Sequence, residues 1–571
     1  MLPYSQTPNL RRIKSLMYIC KAISRSTIDY FLLKTILRNR ITIGIQPFAP
    51  HPFSSSRLLK PQKTMKFPIL LASITLIGTL STACAASKRC ISPAFADIAS
   101  SYAAIGQNNQ ALQIAQTIEN LTLKANVLSQ IAVQSAKAGQ GEQAATMFSQ
   151  ALQVANKIES PPDKVMALEA IATRYRIAGQ NDKAAEVLSQ AVRDADEIWG
   201  TSFVKDTVLE RIAINYAKLG DYDRGIQIAN KIVDDIPKSR ALARIVAQYV
   251  AVGDYNQARQ VADTIEVQTS KANALIEIAA KTRDYQQALS VAQKINEEES
   301  VQLKSIILGK IALLYSKAGQ EKQAVEVLSQ ALQTAQKIEE TGAKVRQLIK
   351  VALQYAEVGK KEQAVAISSQ VLQMASQNQE ANQKAEFLTR VAFVYETVGR
   401  HDLATSVFAR ALQSAQSVDN EDKKAQTLAK LAIASAEIKP YNQVLPIAQS
   451  IQDASIQADV LIQIARHYAR VERNEEARQA LERALQITQR SNKSHDKTQR
   501  IAEIAIELGK IAQYDSAIAI AQTLDTKEKD SPKALVLAKI ASSYVKAGQK
   551  ERAIALLSQA LEAARTTKCS E

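Results

Sequence analysis

The residues that recur at fixed spacing and could do chemistry are bases. Arg211, Arg244, Lys310, Lys350, Arg390, Lys430 and Lys539 each stand directly before a repeated apolar anchor pair. Seven positions after three of them lie Lys218, Lys317 and Lys546. On an α-helix seven residues make nearly two turns, so both sets share one face. A row of cations there could hold the carboxylates of an extended acidic peptide or the charges of a polyanion. The plainer alternative is a solvated helix face, where Lys and Arg are common. No Gly-rich phosphate loop, HExxH or nucleophile elbow is present. His51, His401, His467 and His495 do not pair at metal-ligand spacing. The chain is therefore read as non-enzymatic, with no metal and no cofactor expected. His467 beside Tyr468 reads as a packing or groove residue, and Trp199 as a local hydrophobic plug.

The bases can form a row only if their helices repeat. Ala, Leu, Gln, Lys and Glu dominate the 571 residues, and aromatics make up only 5%, a composition that favours an all-α fold. From about Ile91 the chain is self-similar. Aligning the apolar anchors gives units starting near 91, 124, 164, 205, 238, 271, 304, 344, 384, 424, 457, 497 and 533. Most spacings are 33 or 40 residues. In the unit from Lys304 to Ala343, Leu308, Ile311, Ala312 and Tyr315 form one stripe of a helix A. Gly319 ends that helix, and Ala324, Leu328 and Ala331 mark a helix B. The seven extra residues of the long units should lengthen helix B by roughly 10.5 Å while keeping its apolar face in register. Units six and ten depart from the pattern, near 281–286 and at Pro440 and Pro446, where bends or loosening are expected.

The spacing L-x2-I-A-x2-Y-x3-G-x4-A-x3-L-x2-A resembles the tetratricopeptide repeat (TPR) over about thirteen tandem units. Tyr recurs as Tyr102, Tyr175, Tyr216, Tyr249, Tyr315, Tyr355, Tyr395, Tyr468 and Tyr544. The resemblance implies an α-solenoid, a right-handed superhelix of helix-turn-helix repeats whose A helices line a concave groove. The late Pro of the family is matched by Pro237 but is missing from most units. The Lys and Asn set of carboxylate-clamp TPR domains is not reproduced, so a chaperone-tail function is not implied.

The formal charge of +16 is unevenly spread. Residues 1–84 hold 12 Lys and Arg against one acid, Asp29, and the remainder is nearly balanced. A phosphate-driven partner is not implied, and nucleic acid is disfavoured. From Met65 the sequence MKFPILLASITLIGTLSTACAAS has the layout of a secretory signal peptide, residues 65–85, with cleavage expected after Ala85. LSTAC offers Cys84 as an alternative lipid acceptor, so a lipoprotein is the second possibility. Residues 1–64 read as a non-native or disordered extension, 86–90 as a short linker, 91–568 as the solenoid and 569–571 as a tail. The expected location is exported, either periplasmic or extracellular, as in bacterial proteins of this type. Cys20, Cys84, Cys90 and Cys569 form no CxxC. Cys90 and Cys569 lie at opposite ends, and an elongated array should keep them beyond the roughly 7 Å that a disulfide needs.

The leading expectation is a scaffold that binds a partner protein or peptide, possibly acidic, in the concave groove. The alternative is a binder of an anionic polymer or envelope surface through the bases. The last helix lacks an obviously polar outer face, which suggests end-to-end association.

Overall fold

A computed structural model describes residues 90–571 apart from 199–201, 438, 440, 491–493, 527–529 and 568–571. The chain divides into Met1–Leu71 and Ala72–Glu571. The described residues all belong to the second unit, so the signal-like segment, Cys84 and Trp199 lie outside them.

The second unit contains 26 described helices in sequence, and consecutive helices pack as antiparallel hairpins. No strand occurs among the described residues. The α-solenoid read from the repeat pattern is the architecture observed. Numbering runs from α1 (Ser92–Ala104) and α2 (Asn108–Gln116) to α25 (Lys533–Lys546) and α26 (Lys550–Thr566). Odd helices are the A helices and even helices the B helices.

The seven-residue increment appears as read. In the sixth hairpin helix B is α12 (Gln286–Gln293), 8 residues long. In the seventh it is α14 (Glu321–Gln336), with 16 residues. Ala324, Ala331 and Ala335 are all fully buried, so the extra turns keep one apolar face inward. The nine tyrosines of the stripe are buried as well. Ala324 sits where α14 crosses α13 (Glu297–Lys317). At the same place in the fourth hairpin stands Gly225, where an added Cβ would lie 3.0 Å from the Ala213 carbonyl oxygen. Ala324→Leu should therefore overpack this crossing and lower stability by on the order of 2 kcal/mol. An unchanged thermal midpoint would contradict the close approach.

Each A helix ends through a left-handed residue. At Gly319 (φ +76°) the Gly319 N–H donates to the Ser316 carbonyl, and the Gln320 N–H to that of Tyr315, both at 2.9 Å. Three non-glycine residues take the same role: Arg283, Glu472 and Ala512, with φ of 63°, 61° and 62°. A left-handed backbone costs a residue with a Cβ about 1–2 kcal/mol. Ala512→Gly is thus expected to stabilise the protein by about 1 kcal/mol in thermal unfolding.

The departures in the sixth and tenth hairpins have local causes. Arg283 closes a turn three residues shorter than usual, and Tyr285, buried, packs edge-on to Tyr315 at 4.8 Å. The turn is tightened there rather than loosened. In the tenth hairpin Pro446 lies inside α20 (Tyr441–Gln449). The neighbouring Ile438 and Pro440 are outside the described residues.

Consecutive odd helices pack on one another along the whole array. Each even helix packs on its own odd helix and on the next, with at most marginal contact to other even helices. The layer with the closer spacing must lie on the inside of the curve, so the A helices form the inner wall.

The curve closes. Helix α25 packs on α1 as each odd helix packs on the next, and α26 packs on α1 as each even helix packs on the following odd one. Lys539 Nζ lies 2.9 Å from Asp97 Oδ2, and the Tyr102 and Ser558 hydroxyls are 3.4 Å apart across the seam. The expectation of an elongated array with separated ends does not hold. The uncapped apolar face of the last hairpin is covered by the first helix of its own chain. Cys90 is disulfide-bonded, which corrects the expectation from sequence that no intramolecular bridge would form. The physical reason is the closure, which removes the separation on which that expectation rested.

Candidate functional site: the inner wall

The inner wall carries the bases singled out by spacing. Arg211, Arg244, Lys310, Lys350, Lys430, Lys539, Lys218, Lys317 and Lys546 are exposed, and Arg390 is half-buried. They follow one face because every A helix presents the same register to its neighbours.

Their electrostatic states differ. Arg211 Nη2 lies 2.7 Å from Glu169 Oε2. Arg390 reaches Glu386 at 3.0 Å on its own helix, and Lys539 is held by Asp97. Lys310 Nζ donates to Asn273 Oδ1 at 3.0 Å. Arg244, Lys350, Lys430, Lys317 and Lys546 have no ion-pair partner among the described residues. The row is thus a set of free cations separated by neutralised ones.

Two hollows open between odd helices. The first lies between α5 (Pro161–Ile177) and α7 (Ser202–Leu219). It measures about 280 Å³ and is lined by Glu169, Thr173, Arg211, Ile214, Asn215 and Lys218. Glu169 is 2% exposed, and burial pushes its carboxyl up to about 7 against the opposing pull of Arg211 and Lys218. Arg211 is near enough for charge attraction but not aligned as a hydrogen-bond donor, so neither Glu169 oxygen has a hydrogen-bond partner. A carboxyl of this kind can donate or accept a proton close to neutrality. The hollow can therefore present an acceptor and two cations together.

The second hollow, about 410 Å³, includes Arg466, Arg470, Asn474, Glu507 and Lys510. It lies between α21 (Ala454–Arg470) and α23 (Ser494–Lys510), where the odd helices pack least closely. Arg466 pairs with Glu503 and, at 2.8 Å, with Glu507, which also takes Lys510 at 2.9 Å. Arg500 holds Asp459 at 2.6 Å. This junction is bridged by charge rather than by close helix packing.

The acids were missed by the sequence. Glu169, Glu507 and Asp97 are isolated residues in their own units and matter only through bases one unit away. Aligning the units and reading acids at the positions flanking each base would have given a signal for Glu169.

His467 lies edge-on to Tyr468 at 5.9 Å, and burial lowers its pKa. Among the described residues no group of three or more His, Cys, Asp or Glu could hold a metal ion. Among them, too, no helix is long and apolar enough to cross a membrane.

The comparisons agree with the repeat pattern. Residues 534–567 match the model of the tetratricopeptide repeat. No curated protein matches the chain. Among solved structures, Ton1535 of Thermococcus onnurineus is 21% identical, covering 63% of this chain and 96% of that one at a TM-score of 0.25. The human IFIT1 dimer with PPP-AAAA is 15% identical, covering 73% and 94% at 0.24. A Podosopora anserina kinesin light chain with nearly identical TPR-like repeats is 16% identical, covering 38% and 96% at 0.22. With the hairpin pattern and the matched repeat in hand, the chain is a tetratricopeptide-repeat protein. Arrays of this class are typically non-catalytic interaction scaffolds.

Proposed function

We propose that this protein is an exported ring scaffold that binds a partner polypeptide on its inner wall. The observation that carries the proposal is the wall itself, a preformed surface of A helices with exposed Arg244, Lys350 and Lys430 between neutralised positions. A preformed surface keeps the ordering cost of binding small. Mixed charge supports a protein partner over a polyanion, since Arg211, Arg390 and Lys539 already have acids inside the ring. Export is supported by the signal-like segment from Met65 and by the disulfide at Cys90, because disulfides persist in oxidising compartments.

The test uses the purified protein and a variant with Arg244, Lys350 and Lys430 changed to Glu. Each is presented to envelope extract at low and high salt. The expected result is a defined polypeptide captured at both salt levels by the parent and lost with the variant. Capture of an anionic polymer whose binding collapses at high salt would instead establish the alternative, a polyanion binder. Equal capture by parent and variant would remove the inner wall from the function.

A further inference from the structure

The seam of the ring is built like an ordinary repeat junction. Ser558 stands 25 residues into the unit starting at 533, and Tyr102 stands 11 residues into the unit starting at 91. Ser189 and Tyr216 hold the same offsets in the units starting at 164 and 205. Their hydroxyls are 2.9 Å apart, and those of Ser558 and Tyr102 are 3.4 Å apart. The last hairpin therefore meets the first in the register that joins the third to the fourth.

An internal junction also has a covalent linker. After α14 ends at Gln336, Glu340 caps α15 (Thr341–Glu357) by accepting the N–H groups of Gly342 and Ala343. At the seam α26 ends at Thr566, and the next A helix in space is α1, starting at Ser92. Counted along the unit, Cys569 falls 36 residues after 533, as Glu340 falls 36 residues after 304. Cys90 directly precedes the unit at 91, as Ala343 directly precedes the unit at 344. The two cysteines thus occupy register positions that an internal junction places three residues apart at a helix start. Side chains in that relation have Cβ atoms about 5–6 Å apart on a helix, within reach of the geometry of a disulfide once two separate strands adjust.

We propose that the bond made by Cys90 is to Cys569, and that it stands at the seam where a peptide linker stands at every other junction. The ring is then closed covalently as well as by packing. Formation removes one proton and one electron from each thiol. An external disulfide oxidant of the exported compartment accepts both electrons and leaves as a dithiol. The other cysteines, Cys20 and Cys84, precede the expected cleavage after Ala85 and are removed with it. With the seam locked, a partner reaches the inner wall through the openings of the ring rather than through a gap in its side. This assignment is independent of what the inner wall binds.

The test uses the full chain as exported, carrying a protease site inserted in the loop after Leu524. The chain is cut once, its free thiols are alkylated, and it is run denatured with and without reductant. One covalent species without reductant, two fragments with it, and a Cys90–Cys569 cross-linked peptide by mass spectrometry are expected. A mixture of isotope-labelled and unlabelled chains should give no mixed cross-link. Fragments that separate without reductant, an alkylated Cys569, a Cys90–Cys84 peptide or mixed-isotope cross-links would each overturn the assignment.

Discussion

Tyr102→Ala is expected to open the ring under reducing conditions. Tyr102 is fully buried on α1, and its hydroxyl meets Ser558 across the seam. Removing a buried aromatic side chain costs about 3–5 kcal/mol through lost burial and the cavity left behind. The equivalent change at Tyr216 removes a similarly buried residue, 2% exposed, from an internal junction. Stability should fall by a comparable amount in both variants. Only the seam variant can separate two hairpins that no peptide chain connects. Small-angle scattering with reductant present should therefore show a larger radius of gyration for Tyr102→Ala and an unchanged one for Tyr216→Ala. Superimposable profiles for the two variants would mean that the ends are not held by this contact. The disulfide adds a second hold, for which chain-entropy reasoning sets an upper limit of about 5 kcal/mol, so the comparison needs the thiols reduced.

The second large effect is on pH dependence. Glu169 keeps its proton up to about 7 in the folded ring, against the usual 4.5. Between those values the folded state binds more protons than the unfolded chain, so this group's contribution falls as pH rises and is fully lost above about 7. At 1.36 kcal/mol per pH unit the whole step is about 3 kcal/mol. Glu169→Gln removes the titration and keeps the shape. The variant should match the parent near pH 4 and gain on it progressively as pH rises from about 4.5 to 7, read as the difference in thermal midpoint. A difference independent of pH would show that the carboxyl ionises normally. Arg211→Ala should widen the window upward, because it removes a cation that favours the ionised form.

The helices were legible in the sequence for a definite reason. Buried positions such as Ala324 and Tyr315 recur with the period of a single helix, and Gly319 marks a backbone conformation that few other residues adopt without strain. These are local facts, fixed by neighbours within one or two turns. The seven-residue step between Ala324 and Ala331 was legible on the same ground, since two turns return a side chain to the same face. The tyrosine absent from the sixth unit was only partly legible. Tyr285 takes up the space from the other side of the turn, which depends on how the shortened loop packs.

The inner wall was half legible. The spacing of Arg211, Arg244 and Lys350 put them on one face, which the structure places on the inside. Which of them are neutralised was not, because Glu169 and Asp97 lie far from their partners in sequence and meet them only when hairpins stack.

The sequence alone thus determined an all-helical array of hairpins in two lengths, its buried stripe, and the face that carries the bases. These follow from periodicities of a few residues. The tertiary structure alone decided that the array returns to its own beginning, that Lys539 finds Asp97, and that Cys90 is bonded rather than free. Closure is the sum of small rotations at every junction around the ring. No single unit encodes that sum, so only the assembled molecule reveals whether the last hairpin meets the first.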